Sequence, residues 1–303
     1  MKLASFFSGA GGLDLGFEQA GFKVVYANDN WKGVQKTYEA NLGSLDTRSI
    51  QGLHPDDVPS VDGFIGGPPC QAWSEAGAMK GEDDPRGRAF WDYIRLIRAK
   101  RPGFFVAENV KGFLAPRNKK VLEEFRKELF QYKIEARLLD ATDYGIPQRR
   151  QRVFIVGYHK DFETSFSVPR KSFHQRPVLA DLFYRLSQDE PRYKGGCSSR
   201  FLSRQRVASW EEPSYTIVAT ERQIPFHPSS PKMKKVGKET FEVQPGSRRL
   251  SIPECAAIQG FPMGFDFYYE NTTDGYKMIG NAVPPGLGKV VAETIHSQLF
   301  KHD

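Results

Sequence analysis

Cysteine is scarce in this chain, and so is any long apolar run. Only three cysteines occur in 303 residues, Cys70, Cys197 and Cys255. No two form a CxxC pair, which argues against the common zinc spacings and against a disulfide framework; a reducing compartment and no metal are expected. No stretch approaches the roughly 18 apolar residues of a membrane span, and no apolar leader follows Met1-Lys2-Leu3-Ala4-Ser5. A cytoplasmic protein that contacts no membrane is the expectation. Internal repeats and low-complexity tracts are missing as well. With 39% apolar and 26% charged residues, the chain has the composition of a globular, enzyme-sized body: one large domain and a smaller one.

Acid is scarce in one segment only. Between Arg170 and Leu250 the chain carries 16 Lys or Arg against 8 Asp or Glu, leaving 27 against 28 elsewhere. The whole excess behind the net charge of +7 therefore sits in one region. A module facing nucleic acid requires that concentration, although a solvated basic face would show it too.

Residues 1–170 read as alternating strands and helices. Lys2–Phe7, Lys23–Ala27, Phe64–Ile65 and Phe104–Ala107 have strand character, and Leu13–Ala20, Val34–Asn41, Phe90–Arg98 and Val121–Phe130 have helical spacing. Lys133–Leu139 and Arg152–Gly157 add two more strands. The alternation predicts an α/β fold with a doubly wound, mostly parallel sheet, its ligands lying at the carboxyl ends of the strands. From about Phe173 periodicity fades, and short β-like pieces such as Ser214–Ala219 lie between turns. Residues 171–271 are read as a smaller, mostly irregular or β domain for target recognition. Residues 272–303 end in a helix, Leu287–Phe300, that returns to the first domain.

The block Pro68-Pro69-Cys70-Gln71 places a cysteine behind two prolines and a double glycine, just after an apolar run. Thirty-eight residues later Glu108-Asn109-Val110 follows another apolar run. A sulfur nucleophile and a carboxyl group at strand mouths suit covalent attack on a ring, with the acid protonating the same ring. Read alone, Cys70 fits a small buried apolar residue equally well. The loop Phe7-Ser8-Gly9-Ala10-Gly11-Gly12 follows the first strand and opens a helix, so backbone N–H groups can meet a ligand there. Its third glycine position is Asp14, which departs from the dinucleotide fingerprint and argues against NAD. Asp29, after the second strand, suits ribose hydroxyls. Asp46, after an expected third strand, suits an adenine amino group.

Six blocks now stand in order: Phe7–Gly12, Gly67-Pro68-Pro69-Cys70-Gln71, Glu108-Asn109-Val110, Gln148-Arg149-Arg150-Gln151-Arg152, Arg249-Leu250…Glu254-Cys255-Ala256 and Gly280-Asn281-Ala282-Val283-Pro284. Together they resemble the cytosine-5 DNA methyltransferases over nearly the whole chain. Within that family the chain looks most like the bacterial modification enzymes that recognise GGCC. The likeness extends to Ser203–Val207, Trp210–Pro213 and Arg222-Gln223.

The resemblance implies S-adenosylmethionine as methyl donor and S-adenosylhomocysteine as product. It implies binding of the cofactor by Phe7, Gly9, Ala10, Gly11, Gly12, Asp29, Asn30, Asp46, Thr47, Pro69, Asn281 and Val283. Catalysis falls to Cys70 and Glu108, with Arg152 on the cytosine carbonyl oxygen and Arg150 beside it. The partner is double-stranded DNA, contacted by Gln71, Ser74, Arg86, Arg204, Arg206, Thr216 and Arg222. Residues 74–87 would form the loop that closes over DNA around a flipped base. A monomer paired functionally with a restriction endonuclease is expected. A tRNA cytosine-5 methyltransferase shares these catalytic blocks, and a noncatalytic DNA-binding relative would share the fold. Asn30 departs from the family, whose members often carry an aromatic there, and Ala89 stands where relatives have Leu. Cys255, among apolar neighbours, is read as structural.

Overall fold

The computed structural model describes residues 1–69, 85–171, 177–183 and 191–300. They divide into two compact units. The first contains 1–139, 151–170 and the chain from Leu287 onward; the second contains Asp140–Arg150 and Lys171–Gly286. Thus 140–150 and 272–286 cluster with the second unit, a division that sequence periodicity does not reveal.

A six-stranded sheet in the order β2-β1-β3-β4-β6-β5 organises the first unit. Its strands are β1 (Lys2–Phe6), β2 (Lys23–Asn28), β3 (Gly63–Gly66), β4 (Phe104–Val110), β5 (Tyr132–Asp140) and β6 (Gln151–His159). β2, β1, β3 and β4 are mutually parallel, and β6 runs antiparallel to β4. β3 and the first half of β4 are buried throughout, as strands covered on both faces must be. Glycines face phenylalanines across the strands. A Cβ on Gly63 would meet the Phe104 ring at 2.3 Å, and one on Gly157 the Phe105 ring at 2.1 Å. The two rings fill space their strand partners leave open.

Helices α1 (Gly12–Gln19), α2 (Gln35–Asn41), α3 (Pro85–Lys100) and α4 (Lys119–Glu128) complete this unit with part of α8 (Pro285–Leu299). The core joins sheet to helix through Phe6, Phe64, Phe90, Tyr93, Phe105 and Phe125. α3 is longer than its apolar spacing suggests, because it opens on Pro85, a favoured first residue for a helix. The expected third strand is a single parallel bridge between Asn28 and Asp46.

The second unit has little regular structure. It holds α5 (Ala180–Phe183), α6 (Ile252–Gln259), α7 (Thr272–Asn281) and a hairpin of β7 (Lys234–Gly237) with β8 (Thr240–Glu242). A small core of Phe201, Val207, Phe226 and Met233 supports it. Arg249 runs beneath this core: its guanidinium lies 4.6 Å from the Phe201 ring centre and donates to the Ile224 carbonyl at 2.7 Å. It also donates to Cys197 Sγ at 3.0 Å, giving that cysteine a packing role. Cys255 in α6 is fully buried, and burial pushes its thiol well up.

Candidate active site and nucleic-acid interface

In the sheet unit, the sites read from the sequence gather at one end. Strands β1, β2, β3 and β4 finish there, and antiparallel β6 starts there. β1 ends where Phe7 adopts a left-handed φ of +54°, followed by Gly9 at +54° and Gly11 at +84°. Asp29 accepts the Gly9 N–H on Oδ2 and the Trp31 N–H on Oδ1, both at 2.8 Å. These bonds fix the plane of a half-buried carboxylate beside the glycine loop. Asp46 is more committed. Arg48 pairs with it at 2.7 Å and Tyr26 donates to it at 2.8 Å, and hydrogen bonding from Arg48 holds its carboxyl below the usual range. An adenine amino group would have to share this acid with Arg48.

Asp14, the residue that breaks the dinucleotide fingerprint, is fully buried and accepts from Ser5 Oγ at 2.7 Å and Tyr38 Oη at 2.6 Å. It ties β1 to α1 and α2. Burial outweighs these hydrogen bonds and raises its carboxyl to about 6. Ala10 and Gly12 are buried at the start of α1, and Thr47 is half-buried beside Asp46. Asn30 is exposed where an aromatic is common, but the next residue is Trp31, whose ring lies against Gly33, 2.7 Å from where a Cβ would stand.

Glu108 lies within β4 rather than after it. The register pairs Glu108 with Phe154 and Val110 with Arg152, so Glu108 and Arg152 are diagonal neighbours on one face. Arg152 Nε meets Glu108 Oε1 at 2.9 Å, with the two side chains only 14% and 11% exposed. The other oxygen, Oε2, lies 3.4 Å from where a Cβ on Gly67 would stand. On the opposite face Asn109, also buried, donates to the Pro68 carbonyl at 3.0 Å and so clamps the Pro68-Pro69 segment onto β4. Half-buried Pro69 leads to Cys70. Cys70, Gln71, Ser74 and the Arg86 side chain lie outside the described residues, as does most of the expected closing loop. The three residues that complete that loop, 85–87, belong to α3.

Arg150 is placed differently from its neighbour Arg152. It belongs to the second unit, is 1% exposed, and donates to the carbonyls of Ile217 (2.8 Å), Gly280 (2.9 Å) and Ala282 (2.8 Å). Its guanidinium is an internal brace. Gly280 allows the brace to close, since a Cβ there would lie 2.3 Å from Ala219 N. Asn281 is exposed at the end of α7 and Val283 is buried; both belong to the second unit.

Within the second unit a groove of about 540 Å³ is lined by Arg149, Arg200, Arg204, Arg206, Tyr215, Thr216, Val218 and Gln223. Arg204 is exposed. Arg206 is held by the carbonyls of Phe201 (3.0 Å) and Arg200 (3.1 Å). Burial, then the charge of Arg204, lowers its affinity for a proton. Thr216 Oγ1 donates to the Arg149 carbonyl at 2.5 Å. Arg222 is exposed on the turn Glu221–Gln223, beside the groove rather than in its lining. Arg149, Arg200 and Tyr215 were not singled out by the sequence reading, because contacts distant in sequence bring them together.

The family model for C-5 cytosine-specific DNA methylases matches residues 1–297. This chain belongs to that family. Type II methyltransferase M.MthTI of Methanothermobacter thermautotrophicus is 47% identical over 99% of the chain and 98% of its own length. M.FnuDI of Fusobacterium nucleatum is 43% identical, covering 99% and 95%. Among solved structures, an E. coli prophage-encoded DNA modification methyltransferase superposes with a TM-score of 0.78 at 21% identity, covering 99% of this chain and all of that one. Entamoeba histolytica methyltransferase EhMeth gives 0.76 at 18% identity, covering 99% of both. The protein is a DNA cytosine-5 methyltransferase of the Type II restriction-modification kind, a family that depends on S-adenosylmethionine. No described helix is long and apolar enough to cross a membrane.

Proposed function

We propose that this methyltransferase flips a cytosine out of a G·C-rich, GGCC-like duplex site and methylates it at carbon 5, with Cys70 as nucleophile. The observation that carries the reading is the Glu108–Arg152 pair, held at a strand mouth where Asn109 clamps the segment leading to Cys70. The glycine loop with its left-handed turns, the braced Asp29 and the aromatic Trp31 fit a nucleoside bearing an amino-acid tail. When bound, S-adenosylmethionine supplies a methyl group on a sulfonium, ready for a carbon nucleophile.

Cytosine carbon 5 is a poor nucleophile while its ring stays aromatic. The Cys70 thiolate adds to carbon 6, and Glu108 Oε2 protonates or hydrogen-bonds ring nitrogen 3, leaving carbon 5 enamine-like. Arg152 holds Glu108 through Oε1 and donates to the cytosine carbonyl oxygen. Carbon 5 then takes the methyl group, a base removes its proton, and the carbon–sulfur bond breaks to restore the ring. A base stacked in duplex cannot reach such a site, so it must leave the stack. Ser74 and Arg86 then face phosphates from the closing loop, and Gln71 faces the DNA.

The arginine-lined groove supports the second half of the reading. Arginine is the commonest reader of guanine O6 and N7, and Arg204, Arg206 and Arg222 are its candidates here, with Thr216 beside the flipped base or its phosphate. Competition binding at fixed salt tests it. Arg222→Ala should cost about 1–3 kcal/mol on a GGCC duplex and much less on a random one. Equal losses would make Arg222 a backbone contact. Bisulfite mapping of plasmid from an expressing, methylation-free host should place 5-methylcytosine within GGCC, and purified enzyme should methylate duplex DNA over tRNA. Methylation only at sites without neighbouring G·C pairs would remove the GGCC assignment.

A further inference from the structure

Of the four groove arginines, Arg149 has the most elaborately built surroundings. Its backbone N–H donates to the Ser214 carbonyl at 2.8 Å, and its own carbonyl accepts from Thr216. Its guanidinium lies 5.1 Å over the Tyr215 ring and donates to Glu212 Oε1 at 2.8 Å. Glu212 is fixed in turn: Oε2 accepts the Ser209 N–H and Oγ–H, each at 2.9 Å. These bonds hold the Glu212 carboxyl down to about 2, so it stays ionised at any working pH. Yet the two side chains are 39% and 42% exposed. An ion pair so open to water adds little to stability, and fixing the carboxylate this firmly suggests another purpose.

A carboxylate offers a guanidinium what a phosphate offers, paired acceptor oxygens carrying negative charge. Among the described residues the groove lining contains no acidic side chain, and Glu212 meets it through Arg149. A second cation faces the same acid. Lys232 Nζ is 3.9 Å from Glu212 Oε2 and is steadied by the Val207 carbonyl at 2.8 Å. A carboxylate released by Arg149 therefore keeps a partner.

We infer that Arg149 is a DNA-backbone contact for which Glu212 is the built-in competitor. A duplex phosphate replaces the Glu212 carboxylate on a guanidinium that lies over the Tyr215 ring, and Lys232 retains the displaced acid. The exchange rests on the groove being the duplex-binding face. It makes the pair a brake on electrostatic binding, since every backbone engaged there must first displace Glu212.

A double-mutant cycle at fixed salt, on cognate and random duplex alike, tests the exchange. Glu212→Gln should tighten both by roughly two- to fivefold, the scale of an exposed ion pair. Arg149→Gln should weaken both and flatten the salt dependence by about 0.9 in log–log slope, as loss of one phosphate contact does. In the Arg149→Gln background, Glu212→Gln should have no effect. Tightening that persists in that background would reduce Glu212 to general repulsion and overturn the inference, and weakening by Glu212→Gln would make the pair a structural clasp. Should Glu212→Gln melt early, Ser209→Ala, which removes only one hydroxyl bond to Glu212, must still tighten binding, by a smaller factor. Wild-type protein with no affinity for duplex DNA through this groove, judged by Arg204→Ala and Arg200→Ala binding normally, would instead remove the underlying reading of the face.

Discussion

Two arginine–glutamate ion pairs, one taken from each unit, stand in opposite settings. In the sheet unit Glu108 and Arg152 are nearly buried and aligned by strand register; in the second unit Glu212 and Arg149 stand partly in water, outside any strand or helix. A buried pair keeps its geometry and its field when substrate arrives, as chemistry on a ring requires. An open pair can exchange partners cheaply, as reading a polyanion requires. In the proposed reading the buried pair serves the chemistry and the open pair the binding, although both are arginine and glutamate.

The largest expected effect lies on the buried pair. Glu108→Gln keeps the side-chain shape but cannot supply a carboxylic proton, so single-turnover methyl transfer should slow by roughly 10²–10⁴-fold while duplex affinity holds. A variant that lost affinity and kept its rate would move Glu108 from chemistry to binding.

Arg150 sharpens the contrast, because it sits two residues from Arg152 and is held by backbone carbonyls instead of a carboxylate. Arg150→Met strands the buried carbonyls of Ile217 and Gly280, leaves that of Ala282 to Gln259 alone, and should lower unfolding stability by about 3–5 kcal/mol in urea melts. Normal melting with methyl transfer lost would return Arg150 to the reacting base.

Asp14 gives a smaller effect with a defined sign. Its carboxyl rises from 3.8 to about 6 on folding, so the folded protein favours the neutral acid. Its contribution to stability is full below about pH 4 and is lost as pH rises through about 6, a change of roughly 3 kcal/mol at most. Asp14→Asn stays neutral and should remove that decline between urea melts at pH 4.5 and pH 7. Equal pH slopes for the two proteins would mean Asp14 is ionised in the fold.

Much of the sheet unit was legible in the sequence, because its strands are apolar runs ending in glycine and its site residues follow those runs directly. Asp29 directly follows β2, whereas Glu108 lies inside β4, which runs on past its apolar residues. The third strand expected before Asp46 is only the isolated bridge from Asp46 itself to Asn28, which leaves no periodic trace. The second unit was legible only as basic charge. Arg149 meets Glu212 and Tyr215 beside the isolated bridge from Gln148 to Ser214, and α7 has no apolar stripe regular enough to announce it. Arg150 and Arg152 share one motif, yet the chain passes from one unit to the other between them, and nothing in the motif says which arginine is buried as a brace.

Covalent trapping tests the central claim most directly. A duplex carrying 5-fluorocytosine at the target position of a GGCC site is incubated with enzyme and S-adenosylmethionine, and the adduct is digested and mapped by mass spectrometry. Fluorine cannot leave as a proton does, so the reaction should stop with the methylated base bonded to Cys70, and Cys70→Ala should give no adduct while still binding the duplex. An adduct mapped to Cys197 or Cys255, or normal turnover by Cys70→Ala, would contradict the account.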